Sequence, residues 1–306
     1  MAELSTLSVS GSFNIGNTST SSPGYMWFNS GSMKLEYSWC GGAWSTGGAL
    51  STARYALAGA GTQNEALAFG GSFFSAASCT EEYNGTSWTA GGALSTARYQ
   101  LAGAGTQNAG LAFGGFYNYS CTEEYNGSSW SAGGALITAR RALAGAGTQN
   151  AGLAFGGEPG VACTEEYDGS SWSSGGALIT ARGCLAGSGE QNAGLAFGGG
   201  TPSIVPCTEE YDGSSWSTGG ALINIRFRLA GAGTQNAGLA FGGAPGYLSC
   251  TEEYDGSSWS AGGALITGRQ QLAGAGTQNA GLAFGGNYNT VSCTEEYVSG
   301  NQICSL

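Results

Sequence analysis

Six copies of Cys-Thr-Glu-Glu-Tyr supply the side chains best suited to chemistry. They place adjacent carboxylates at Glu81-Glu82, Glu123-Glu124, Glu165-Glu166, Glu209-Glu210, Glu252-Glu253 and Glu295-Glu296. A carboxylate pair is the equipment of glycoside hydrolysis, and carboxylates also hold calcium. Here the copies are identical, so no unique acid–base pair stands out, and no calcium-ligand spacing accompanies them. The chain has no histidine, which excludes Ser-His-Asp and Cys-His catalysis and His-ligated zinc or copper. Its glycine-rich stretches lack the Lys-Ser/Thr that completes a phosphate loop. The expectation is a protein that is not an enzyme and needs no cofactor or metal.

Those residues recur because the chain is a repeat. Gly-Gly-Ala-Leu begins at Gly47, Gly91, Gly133, Gly175, Gly219 and Gly262, at intervals of 44, 42, 42, 44 and 43 residues. Each copy leads to an arginine (Arg54, Arg98, Arg140, Arg182, Arg226, Arg269), then to LAGAGTQN or a near copy, LAFGG, a variable stretch and CTEEY. An Asn-Gly or Asp-Gly pair follows in the first five, then Trp88, Trp130, Trp172, Trp216 or Trp259, while Trp44 precedes the first copy. In one unit four strands are expected at Leu101–Ala104, Leu111–Phe113, Cys121–Tyr125 and Ser128–Trp130, with Asn126-Gly127 read as a two-residue hairpin turn. Four strands per unit at this period suit a propeller blade.

Composition agrees. With 58 Gly but no three-residue period, the chain is not collagen. Its 8 Trp, 14 Tyr and 12 Phe are too many for disorder. The net charge of −11, with Lys34 the one lysine, disfavours nucleic acid and anionic membrane surfaces. Apolar runs are short and broken by glycine, so no membrane insertion is expected. The beginning MAELSTLSVSGSF has neither the basic nor the apolar region of a secretory signal.

The units resemble kelch repeats, and the set Gly114-Gly115, Tyr125, Trp130 and Arg140 carries the likeness through residues 45–297. The resemblance implies a β-propeller that commonly binds protein or glycan partners; its copper-oxidase branch needs histidines absent here. The physics of the pieces fits: double glycine for tight backbone, Tyr and Trp to fill the widening gap between blades, and an Ala/Gly strand for the crowded axis. The last unit reaches Tyr297 with no Trp after it, and WCGGAW (Trp39–Trp44) stands where the other units have YNGSSW. The fold class expected is therefore all-β: a six-bladed propeller of four-stranded antiparallel blades, closed by an N-terminal strand. Seven blades are the alternative, with Leu7–Ile15, Tyr25–Asn29 and Met33–Tyr37 as strands of an atypical blade. The boundary is drawn between a 1–38 attachment segment and a 39–306 propeller.

Charges and thiols receive structural roles. The six arginines and the Glu pairs are expected to form a ring of bridges between blades. Cys79, Cys121, Cys163, Cys207, Cys250 and Cys293 occupy equivalent positions in blades roughly 10 Å apart, beyond the ~7 Å reach of a disulfide. They are expected to be reduced, buried small hydrophobes, while Cys40, Cys184 and Cys304 are left open to pairing.

The copies differ from one another at one end. The turns GTQNAG and NGSS or DGSS barely change, whereas the loops between second and third strands read SFFSAAS, FYNYS, EPGVA, GTPSIVP, APGYLS and NYNTVS. The dipeptides after each arginine vary too: Tyr55-Ala56, Tyr99-Gln100, Arg141-Ala142, Gly183-Cys184, Phe227-Arg228 and Gln270-Gln271. In an up-and-down blade both sets lie on the same face. Loops on a rigid scaffold carry recognition, and exposed aromatics suit sugar stacking and protein hot spots. The candidate ligand-binding residues are Tyr55, Phe73, Phe74, Tyr99, Phe116, Tyr117, Tyr119, Arg141, Phe227, Arg228, Tyr247 and Tyr288.

The segment Pro23–Trp39 (PGYMWFNSGSMKLEYSW) resembles short hairpins of bacteriophage tail-fibre and virion proteins. That resemblance implies a virion protein assembled in the host cytoplasm. Its expected partners are other virion proteins through the N-terminal segment and a host surface glycan or protein through the variable face; homo-oligomerisation is left open. The alternative is a bacterial cytoplasmic kelch-type interaction scaffold or lectin.

Overall fold

The computed structural model describes residues 42–200, 202–287 and 291–300, together with the strands Tyr25–Asn29, Lys34–Ser38 and Ile303–Ser305. All regular structure among them is β. Six four-stranded antiparallel sheets follow one another as blades. In the first, an inner strand Ala58–Gly61 pairs with Ala66–Phe69, then Thr80–Tyr83, then an outer strand Trp88–Gly91. The next four blades repeat this order without exception. The sixth runs Ala273–Gly276, Ala280–Phe284, Thr294–Val298, and takes its outer strand, Ala43–Gly47, from near the chain's beginning. The register Tyr297↔Trp44 in that blade matches Tyr83↔Trp88 in the first. Six blades are present, not seven: Tyr25–Asn29, Lys34–Ser38 and Ile303–Ser305 form a separate three-stranded sheet that joins the two ends of the chain. The strand postulated at Leu7–Ile15 lies outside the described residues.

Residue size assigns each strand its radius. The inner strands of successive blades touch in a closed circle, and only glycine fits where they meet. A Cβ on Gly103 would lie 2.5 Å from Phe69 Cζ and 2.8 Å from the Gly59 carbonyl oxygen. The second strand carries Leu-Ala-Phe and is buried on both faces, as its unbroken apolar run requires. The outer strand buries its Trp end and exposes the rest; Trp130 alone is half-buried.

Aromatic side chains then seal each seam. Trp172 packs against Tyr167 of its own blade and Phe113 of the preceding one, with ring centroids 4.9 and 5.0 Å apart, and its Nε1 donates to Thr122 Oγ1 at 2.9 Å. The equivalents Trp44, Trp88, Trp130, Trp216 and Trp259 donate to Thr251, Thr294, Thr80, Thr164 and Thr208. On the invariant end, Gln107 reaches back to the carbonyls of Ala66 and Tyr83 at 3.0 and 2.6 Å.

The turns and the charges depart from expectation. The Asn-Gly pairs do not make two-residue turns. Tyr125 pairs with Trp130, so residues 126–129 form the loop, and Gly127 alone has positive φ, at 87°. Asn126 Oδ1 accepts the amides of Ser128 and Ser129 at 3.0 and 2.9 Å, an Asx turn that removes the need for a left-handed Asn. In the Asp copies the same serine bonds hold Asp168, Asp212 and Asp255 down at about 2. The Arg–Glu bridges run within blades rather than between them. Each arginine sits in the linker entering a blade and meets the first Glu of that blade's third strand: Arg54–Glu81, Arg98–Glu123, Arg140–Glu165, Arg182–Glu209, Arg226–Glu252 and Arg269–Glu295. All six arginines are buried. The second Glu crosses the seam instead, accepting the next blade's tyrosine hydroxyl, as Glu82 does from Tyr125 at 2.6 Å and Glu124 from Tyr167 at 2.5 Å. The six equivalent cysteines are free thiols but half-buried rather than buried. Their neighbour is a polar guanidinium: Arg98 donates to Cys121 Sγ at 2.8 Å.

Candidate functional site: the variable end of the propeller

The linkers and the loops between second and third strands pair with each other, which places both at one end. Tyr55 bridges Ser72, Arg141 bridges Glu158, Phe227 bridges Ala244 and Gln270 bridges Asn287. The residues that differ among copies are thereby gathered around one mouth of the axis.

On the side of the second blade they form an aromatic cluster. Tyr99 stacks on Phe116 with centroids 4.5 Å apart and planes inclined by 20°. Phe116 meets Tyr117 edge-on at 4.9 Å, and Tyr117 meets Tyr119 at 6.2 Å. The Arg141 guanidinium lies 4.9 Å from the Phe116 ring centre, from the next linker, and its Nε donates to Glu158 Oε2 at 2.9 Å. Tyr117 is 74% exposed. The loop that presents it holds two consecutive non-glycine residues in the left-handed region, Tyr117 at φ 70° and Asn118 at φ 54°. Partial burial, then the neighbouring Tyr117 and Tyr55, hold the Tyr99 phenol above the ordinary value, against the pull of Arg141.

The remaining candidates are distributed around the rim. Phe73 and Phe74 form a second pair at 6.1 Å, with Phe74 98% exposed. Arg228 lies over Phe227 at 5.2 Å, and Tyr247 is exposed on the fifth blade's loop. Tyr288 lies outside the described residues. The cluster built by Tyr99, Phe116, Tyr117, Tyr119 and Arg141 is therefore one sector of the face and not the whole of it.

At the centre is a feature that the sequence reading did not single out. The second residue of each variable dipeptide closes a ring of backbone hydrogen bonds around the axis. The amides of Gln100, Ala142, Cys184, Arg228, Gln271 and Ala56 each donate to the carbonyl of the preceding member, at 2.8–2.9 Å. All six residues are left-handed, with φ between 51° and 55°. None is glycine, although glycine takes this conformation with least strain and takes it elsewhere in the chain. Within the ring lies a cavity of about 90 Å³, lined by these six residues and by the leucine that follows each one. The signal available in the sequence was the alternation of one variable residue with an invariant Leu at six equivalent places.

The Cys184 thiol is pushed up to about 12 by burial and by Glu158, to whose Oε1 it donates at 3.3 Å, so it is protonated and not nucleophilic at neutral pH. Among the described residues no three of Cys, Asp or Glu gather to hold a metal.

Fold and site together define a closed six-bladed β-propeller of near-identical repeats whose diversity is concentrated at one end. No protein-family model matches this sequence, and no curated protein matches it.

Proposed function

We propose that this chain is a non-enzymatic recognition module of a bacteriophage particle, binding a host-surface glycan through the variable end of the propeller. The observation that carries the binding reading is the exposed cluster Tyr99–Phe116–Tyr117–Tyr119 with Arg141 beside it. Flat aromatic faces stack on sugar rings, and a rigid frame of six blades holds them with little ordering cost on binding. The virion role is supported by the hairpin likeness of residues 23–39. In this reading the terminal sheet attaches the module to other particle proteins and the axis points its variable end outward.

Glycan-array binding by the intact protein, repeated with Phe116→Ala and Tyr117→Ala, tests the site. Loss of most of the signal in both variants is expected, with folding unchanged; full retention in both overturns the assignment of this cluster. Mass spectrometry of purified particles tests the setting. A chain absent from particles leaves a bacterial scaffold or lectin as the better reading.

A further inference from the structure

We infer that the axial mouth of the variable end is a site for a carboxylate-bearing sugar, with Arg228 holding the carboxylate and Gln100, opposite it, accepting from a hydroxyl. The inference rests on the glycan reading above and narrows it to an acidic saccharide.

The sequence has eight arginines. Six are bridged inside the blades and Arg141 is paired with Glu158. Arg228 is the eighth, and among the described residues it has no carboxylate partner. Glu158, on the same end, is already engaged by Arg141 and by the Cys184 thiol. Arg228 is hydrogen-bonded to the Cys184 sulfur, and in a chain of net charge −11 a guanidinium at the axis with no carboxylate bridged to it stands out in sign.

Its position makes that charge useful. Arg228 lines the axial cavity, and its Nε is buried without a hydrogen-bond partner. Five framework arginines also leave Nε unpaired, but each of those has its carboxylate. The order of ring hydrogen bonds sets Gln100 three members from Arg228, directly across the opening. Gln100 Oε1 is likewise buried and unpaired. A buried acceptor and a buried donor carried by opposite members of the ring that lines the cavity match a ligand that offers an anionic oxygen on one side and a hydroxyl on the other. An unmet polar group of this kind costs about 1–3 kcal/mol, which the ligand's bonds would recover.

The surroundings select a sugar over a peptide carboxylate. Tyr99, stacked on Phe116, precedes Gln100 in the chain, and Phe227, with Arg228 over its ring, precedes Arg228, so an aromatic residue is the chain neighbour of each polar one. The floor of six leucines suits the apolar face of a pyranose ring. Left-handed residues in place of glycine indicate that the side chains themselves are retained at a conformational cost.

Titration calorimetry of the intact protein with a glucuronate-containing oligosaccharide, and with the same oligosaccharide after carboxyl reduction, tests the site. The acidic form is expected to bind at least tenfold more tightly. Arg228→Gln should abolish that preference, Arg228→Lys should keep part of it, and Gln100→Ala should weaken both forms several-fold, all without change in thermal midpoint. Equal binding of the two forms by the wild-type protein, no binding of either, or a preference that survives Arg228→Gln overturns the proposal. If array glycans bind through Phe116 and Tyr117 while Arg228→Gln changes nothing, the acidic site falls and the recognition reading stands. Arg228-dependent binding of an acidic peptide without binding of the sugar assigns the mouth to a protein partner and overturns the saccharide.

Discussion

Arg140 has no exposed surface, and its partner Glu165 also receives the amides of Ile137 and Thr138 at 2.6 and 3.1 Å. That carboxylate fastens the linker to the blade it enters, so the pair acts at a junction. Removing one member of a buried pair strands the other, at a cost of about 3–5 kcal/mol. Arg140→Met is therefore expected to lower unfolding stability by about that amount in urea titration, and Arg140→Met/Glu165→Met to recover part of it. A single variant within about 1 kcal/mol of wild type would show that the carboxylate is compensated by its amide donors alone. The sequence made Arg–Glu pairing legible, because both occur six times. It did not reveal that adjacent glutamates serve different neighbours. Their side chains leave a strand on opposite faces, so one turns to its own linker and the next to the adjoining blade's tyrosine.

At the scale of elements, the outer strand Ala43–Gly47 differs from its five counterparts in one respect: no hairpin ties it to its neighbour in the sheet. It is held by the ladder to Thr294–Val298 and by Trp44, which packs on Phe241 and Tyr297 at 5.0 and 4.9 Å. Trp→Ala in a core costs about 3–5 kcal/mol. Trp44→Ala should release this strand locally, giving rapid proteolysis between residues 42 and 54 with the other five blades intact. Trp172→Ala, in a strand tethered by its own turn, should destabilise without that cleavage. Identical digestion patterns in the two variants would mean that the strand is not an independent latch. Closure was legible because a Trp is missing after Tyr297 and present at residue 44. The four-residue loops were not, because Asn-Gly has two solutions and the serines after it, whose amides Asn126 Oδ1 captures, decide between them.

The whole molecule is held by six equivalent seams, and each contains a tyrosine hydroxyl donating to a carboxylate of the preceding blade. Burial, reinforced by that bond, lifts Tyr83, Tyr125, Tyr167, Tyr211 and Tyr254 from the usual 10.0 to about 12, and Tyr297 further still. The folded state thus binds these protons more tightly than the unfolded chain. Stability from this source is complete below pH 10 and is lost as pH rises toward 12. Urea midpoints should fall steeply over that window, with the seam tyrosines ionising only as circular dichroism reports unfolding. Ionisation of all tyrosines near pH 10 with the sheets intact would contradict the seam geometry. Ring architecture and the variable end were readable from period and from differences among copies; the axial hydrogen bonds were not, since they join residues that are neighbours only once the circle is complete. Those bonds carry a consequence for how such a mouth can diversify. Peptide groups alone do the joining, so the ring of bonds does not depend on which side chain each rim residue carries. The permitted set has gaps, however: proline supplies no amide hydrogen and cannot reach positive φ, and β-branched residues are poorly accommodated there. Natural variants of this protein should therefore avoid Pro, Val, Ile and Thr at residues 56, 100, 142, 184, 228 and 271, with exchanges at 100 and 228 accompanying a change of ligand.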